Sequence, residues 1–440
     1  MDFKFLNFFS DTKPLMKSYF KNFSWMMVDN LLKLIFGLTI SIYLTRFLGP
    51  KDYGLLSYAL SLTGILSPFA TLGIDAILLR DVIKNKKQQK ILLHTAKILK
   101  FISAVVLSII VILFIYFFKN DSILISIIGI LMVGIIIDSL NVYKEYIVAV
   151  NKMRFIAYAS IISIIISNFF KVGLMLVGAN VVWFGLAIFS AQLSNVLSLR
   201  HYYTQISELQ KKYFSKKIAI NLLKDSWPLI FTSFAGIIFV YADQLIIEYF
   251  YDYEKVGIYA SAVRLVLFFT VIPSVISNMI YPKVIEIYEN NTKILFKEKM
   301  VRLYFFYFLF ALFLILIFVL FGDLIILTLY GNIFIEAAII LKIYSISFVF
   351  VFFNPINNKL LMIENLQKLM LIRNLIGLVV NLVLNFILIP KLGITGAAIS
   401  TVFSQLAILL SYYFDTRTKY IFTIQIKSFI YPIQLIKKLS

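Results

Sequence analysis

The chain has 440 residues, of which 61% are hydrophobic and 15% charged, and its mean hydropathy of +0.91 lies far above that of a soluble globular chain. Apolar runs of about 20 residues, the length that crosses a bilayer, recur throughout and exclude a β-barrel, so the fold class expected is an all-α polytopic membrane protein. Absence of cysteine excludes disulfides and thiol catalysis, and the net charge of +20 reads as basic loops fixing membrane orientation, with no nucleic acid as partner.

Residues 1–24 mix Phe3, Phe5, Leu6 and Phe8 with Lys4, Lys13, Lys17 and Lys21, the pattern of an interfacial segment on the cytoplasmic side. Asp2 and Asp11 interrupt it and no small-residue cleavage site follows, which argues against a secretory signal. Twelve spans come next, at about 25–47, 54–78, 101–118, 123–143, 155–177, 182–200, 228–249, 257–280, 303–321, 337–358, 371–389 and 394–414. When loops are assigned alternately to two sides, one side collects nearly all loop Lys and Arg. The other side keeps only Arg46, Lys51, Lys119, Lys255 and Lys391. That asymmetry places both termini of this multi-pass membrane protein in the cytoplasm. Residues 415–440 read as a basic amphipathic tail, its apolar stretch broken by Lys427 and Pro432. The outer loops are short, the longest about 322–336, so a membrane enzyme with an external catalytic loop is not expected.

Span 2 carries Ser57, Ser61, Gly64, Pro68, Thr71 and Asp75 at alternating steps of three and four, which predicts one small, polar helix face ending in a carboxylate. An internal repeat relates spans 1–6 to spans 7–12. The segment from Gly54 resembles that from Gly257, and Gly185–Ser194 resembles Gly396–Gln405. Six spans per repeat give two parallel lobes, residues 25–225 and 226–414, expected to enclose a central cavity.

Charges inside spans are costly and demand a role. The candidates for binding an anionic substrate are Lys33, Lys171 and Arg264 within spans, with Arg46, Arg80 and Lys342 nearer span ends. Arginine in particular offers a planar fork to phosphate oxygens. Asp29, Asp75, Asp138 and Asp243 are candidates for proton or sodium coupling, with structural pairing to the cations as the other reading. The sequence has no phosphate-loop motif, His/Cys cluster or nucleophile elbow, so neither ATP hydrolysis nor a metal or organic cofactor is expected. Any uphill step must draw on an ion gradient, a partner, or consumption of the transported species.

Arg46-Phe47-Leu48-Gly49-Pro50-Lys51-Asp52-Tyr53-Gly54 resembles the R-x-L-G-P-x-x-Y-G signature of polysaccharide (Wzx-type) flippases. These belong to the multidrug/oligosaccharidyl-lipid/polysaccharide exporter superfamily. Trp227-Pro228, Asp243-Gln244, Val256-Gly257-Ile258-Tyr259, Leu388-Ile389-Pro390-Lys391 and Gly393-Ile394-Thr395-Gly396 resemble later parts of the same pattern, in order. The resemblance implies an undecaprenyl-pyrophosphate-linked oligosaccharide as substrate, moved between leaflets of the cytoplasmic membrane for surface polysaccharide such as O-antigen or capsule. It also implies a polymerase and chain-length or ligase proteins as downstream partners. Asp29 beside Lys33 departs from a purely cationic first span. Alternatives are a cation-coupled multidrug exporter of the same superfamily, a lipid II flippase, and a membrane polymerase or transferase.

Overall fold

A computed structural model describes the backbone of residues 14–119, 121–206, 213–290 and 292–439, and side chains from 36 to 431 within those ranges. The interfacial reading of residues 1–13 lies outside the described residues. Sixteen α-helices and two short 3-10 turns, with no strand, make up the described residues. Eleven stretches have the length and apolarity of a membrane span. The first of them, Phe36–Lys84, contains a break at Gly49 and covers two of the expected twelve spans.

That break is local chemistry. Helix α1 (Pro14–Thr71) is interrupted at Gly49, whose φ of 70° and ψ of 175° fall where a side chain would clash. Pro50 then opens the next helical segment with its φ already set. A second break follows at Leu72 and Gly73, both at positive φ (54° and 59°), before α2 (Ile74–Lys84). The polar stripe expected along span 2 is therefore corrected: Asp75 sits on a separate helix, because two consecutive left-handed residues redirect the chain ahead of it.

The chain divides into two compact units, one of residues 1–41 and 66–231, the other of residues 42–65 and 232–440. The expected lobes differ from these units by residues 42–65. In the first unit, Ile74, Leu78 and Val82 of α2 pack with Leu92, Leu93 and Ala96 of α3 (Gln89–Phe118) and Tyr146 and Ile147 of α5 (Tyr143–Ala149). Small residues draw other helices together. Gln192 of α7 (Val181–Ile206) fills the space over Gly134 of α4 (Ser122–Ser139). Ser167 of α6 (Arg154–Leu176) donates to the Ala187 carbonyl at 2.9 Å. Helix α3 starts well before the expected span at 101, so residues 89–100 are helix and not loop.

The second unit holds most of α8 (Lys216–Phe250), then α9 (Tyr253–Asn290), α10 (Lys293–Tyr330), α14 (Gln367–Leu392) and α15 (Ile394–Phe414). The span expected over 337–358 is broken into α11 (Ala337–Ser345), α12 (Phe348–Val351) and α13 (Asn354–Ile363). Tight turn bonds at Ser347 and Phe350 join them. Interrupted helices persist at membrane depth where protein or a cavity satisfies the backbone. The tail forms α16 (Lys419–Leu439), helical through Lys427 and Pro432, the two residues that interrupt its apolar run. Its Ile421, Ile424, Gln425 and Ser428 are buried, and Phe429 stacks near Phe308 and Phe353. Contact of this face with α10 and α13 supplies the stability that offsets the breaker.

Candidate functional site

Arg264 is exposed although it lies in an otherwise buried stretch of α9. Val263 and Leu265 beside it are 4% and 3% exposed. Tyr53 is its hydrogen-bond partner, with Tyr241 and Tyr330 also in its electrostatic surroundings. Tyr53 is the tyrosine of the sequence signature, so the motif after Gly49 meets the intramembrane arginine directly. Phenols surround the guanidinium of this accessible residue, and no carboxylate forms an ion pair with it among the described residues.

The other sequence-selected cations differ in availability. Arg46 is exposed and Lys171 half-buried. Arg80 is held by two carboxylates, Asp81 at 2.7 Å and Asp225 at 2.6 Å. Lys342 pairs with Asp323 at 2.5 Å while its stem lies over Gly322. Those last two tie helix to helix, α2 to α8 and α11 to α10. Asp29 and Lys33 lie outside the described side chains.

Asp75 and Asp138 come together in the first unit around a lysine that the sequence reading places in a loop. Lys100 is buried and its Nζ bonds Asp75 Oδ1 at 2.8 Å. Asp138, partnered by Asn141, lies in the field of both Lys100 and Asp75, and so does Glu145. Glu145 is 7% exposed and its Oε2 has no hydrogen-bond partner. One buried lysine thus faces three carboxylates, so the cluster holds more acidic groups than basic ones. The signal for Lys100 was present in Leu92, Leu93 and Ala96, whose helical spacing carries α3 down to it.

The second unit holds a buried carboxylate of its own, Asp243. It is 3% exposed and accepts from Tyr259, from Asn385 Nδ2 at 2.6 Å and from Thr401 Oγ1 at 2.9 Å. Asn381 Oδ1 accepts from the same Asn385 amide at 3.0 Å. Asn381 and Asn385, four residues apart on one face of α14, thus supply two of its surroundings. Only neutral groups contact this carboxylate among the described residues, leaving room in the charge balance for a proton or a small cation.

A cavity of about 490 Å³ lies within the same unit, bordered by Thr270, Ser274, Asn278, Asn354, Asn358 and Lys359 together with Val351, Pro355, Met362 and Met370. The breaks of α11–α13 bring Asn354 and Asn358 to it.

Ionisable side chains placed inside closely packed helices give this all-α chain the build of a polytopic membrane protein with a charged interior. Its fold matches solved members of the MOP superfamily. A multidrug resistance MATE family transporter in an inward-facing conformation aligns with a TM-score of 0.70 at 13% identity, over 92% of this chain and 98% of that chain. Lipid II flippase MurJ in an inward closed conformation aligns with a TM-score of 0.71 at 18% identity, over 93% and 92%. At such identities the likeness concerns the fold alone. The chain belongs to the family described as polysaccharide biosynthesis protein, whose model matches residues 19–288. A curated relative, capsular polysaccharide biosynthesis protein CapF of Staphylococcus aureus, is 23% identical over 410 residues, 90% of this chain and 98% of that protein.

Proposed function

We propose that this protein is a flippase that moves an oligosaccharide linked to undecaprenyl pyrophosphate across the cytoplasmic membrane by alternating access, for surface polysaccharide assembly. The observation that carries the reading is Arg264, an accessible guanidinium in a buried intramembrane stretch of a chain belonging to a polysaccharide biosynthesis family. Family membership supplies the pathway, and the cation supplies a partner for a diphosphate. Arg46 and Lys171 extend the cationic surface. Arg80 and Lys342 join it only if their carboxylate partners release them. Coupling falls to Asp243 and to the Asp75–Asp138 cluster, which exchange a proton or sodium ion with the gradient. Both termini lie in the cytoplasm, where the basic loops face anionic lipid. A polymerase and ligase consume the delivered unit outside.

The test is a leaflet assay in proteoliposomes with labelled lipid-linked oligosaccharide. Protein-dependent movement supports the reading, and absence of movement for every such lipid overturns it. Export of hydrophobic cations instead, dependent on Asp243 and indifferent to Arg264, establishes the multidrug alternative that the fold likeness to MATE transporters leaves open.

A further inference from the structure

Arg373 is a buried cation that the transport reading above does not use. It stands in the second turn of α14 and is 4% exposed. One nitrogen, Nη2, donates to Thr418 Oγ1 at 2.5 Å, and the guanidinium lies over the Tyr412 ring, 3.8 Å from its centroid. Nε and Nη1 have no hydrogen-bond partner. Asp415, the carboxylate whose field reaches Arg373, is itself held by Arg417 at 2.8 Å. Among the described residues no carboxylate forms an ion pair with Arg373. A buried guanidinium left with free donors and no counter-charge is an expensive arrangement, retained where a ligand completes it.

The surroundings are built for an anion. Arg373 lines a cavity of about 220 Å³ together with the carboxamides of Asn354, Asn358, Asn374 and Gln405. Asn354 Nδ2 donates to Gln405 Oε1 at 3.1 Å, fixing both side chains. Gly236 borders the space, and a Cβ there would meet nothing within 4 Å. Asn354 and Asn358 are shared with the 490 Å³ cavity that holds Lys359, so a second cation stands close by. Carboxamides offer N–H donors to more oxygens than the two of a carboxylate, which favours the three or four oxygens of a phosphate. Arg373 lies six residues into α14, about 9 Å along the helix at 1.5 Å per residue. For a spanning helix that is the depth of the headgroup boundary.

We propose that the Arg373 cavity binds the phosphate of a lipid headgroup. The site follows from Arg373 and its lining; assigning it to the diphosphate of the transported carrier, and not to a resident anionic phospholipid, rests on the transport reading.

The experiment titrates farnesyl diphosphate, phosphatidylglycerol and uncharged farnesol into the full-length protein in a neutral detergent, reading the thermal unfolding midpoint and calorimetric affinity. Wild type is expected to bind farnesyl diphosphate and not farnesol. Arg373→Gln should weaken binding at least tenfold, with Arg373→Lys intermediate. Gln405→Leu leaves the buried charge untouched and should weaken it severalfold, which keeps the test valid if Arg373→Gln fails to fold. Without ligand, Arg373→Gln should melt no lower than wild type, since it removes an uncompensated charge. Phosphatidylglycerol binding with the same Arg373 dependence supports the site and assigns it to the bilayer. Diphosphate binding unchanged in Arg373→Gln and Gln405→Leu, or absent from wild type, overturns the proposal even if the leaflet assay shows transport. Arg373-dependent binding without transport leaves the site standing and removes the flippase reading.

Discussion

Gly54 and Gly257 pack backbone against backbone: a Cβ on Gly54 would stand 1.6 Å from the Tyr253 carbonyl oxygen, and one on Gly257 would stand 1.9 Å from that of Pro50. These are the two positions that the internal repeat equates, so equivalent glycines of the two halves form one helix crossing. Contact this close replaces side-chain packing with backbone van der Waals contact, the usual means of association where lipid removes the hydrophobic drive. It also explains why residues 42–65 group with the second unit.

Gly54→Ala or Gly257→Ala should destabilise the protein by roughly 1–3 kcal/mol or more, the range for overpacking. The opposing atoms are backbone and cannot swing aside. Gly236→Ala, with nothing within 4 Å, serves as the neutral control. Thermal midpoints of the purified variants check this, and a double substitution should cost less than the sum of the singles, because both act on one contact.

Lys100→Met removes the cation that bonds Asp75 at 2.8 Å and leaves Glu145 buried among carboxylates. The expected loss is on the order of 3 kcal/mol, as for breaking one partner out of a buried ionic group. Adding Glu145→Gln should recover part of it. A double-mutant cycle on the unfolding midpoint measures the coupling, and strict additivity of the two changes would show that the groups do not share a field.

Asp243→Asn keeps the shape and most hydrogen bonds of the site while removing its charge. Gradient-driven movement of lipid-linked oligosaccharide should fall about tenfold or more, a change worth about 1.4 kcal/mol at the least, while the protein stays folded. The check is transport in proteoliposomes with an imposed proton or sodium gradient. A rate that responds to the gradient as in wild type would assign Asp243 a structural role.

Arg264→Gln is predicted to change stability by no more than about 0.5 kcal/mol, because the guanidinium is exposed and lacks a carboxylate partner. Transport should nonetheless fall about tenfold or more, with Arg264→Lys partly active since it keeps the charge and loses the fork. Parallel measurement of melting and leaflet transfer separates the two effects.

Surface pairs offer a contrast. Arg80→Ala breaks contacts at 2.7 and 2.6 Å, yet both partners are accessible, so the expected stability cost is only about 0–1 kcal/mol. A transport defect in this variant without loss of stability would return Arg80 to the substrate pathway.

The sequence by itself determined the all-α polytopic class, the number of spans and the signature that names the family. Each of these depends on a property carried by a short segment, because the bilayer sets the desolvation cost of every residue along a helix regardless of what lies beside it. Turn chemistry at Gly49-Pro50 is equally local. Only the tertiary structure decided which charges are free. Lys100 reads as a loop cation until α3 is seen to continue through it into buried surroundings, and Arg80 reads as free until Asp225 is brought to it from α8. The partners of Asp243 come from three different helices, α9, α14 and α15. A charge inside a membrane takes its meaning from the groups that compensate it, and those groups are set by the packing of distant segments.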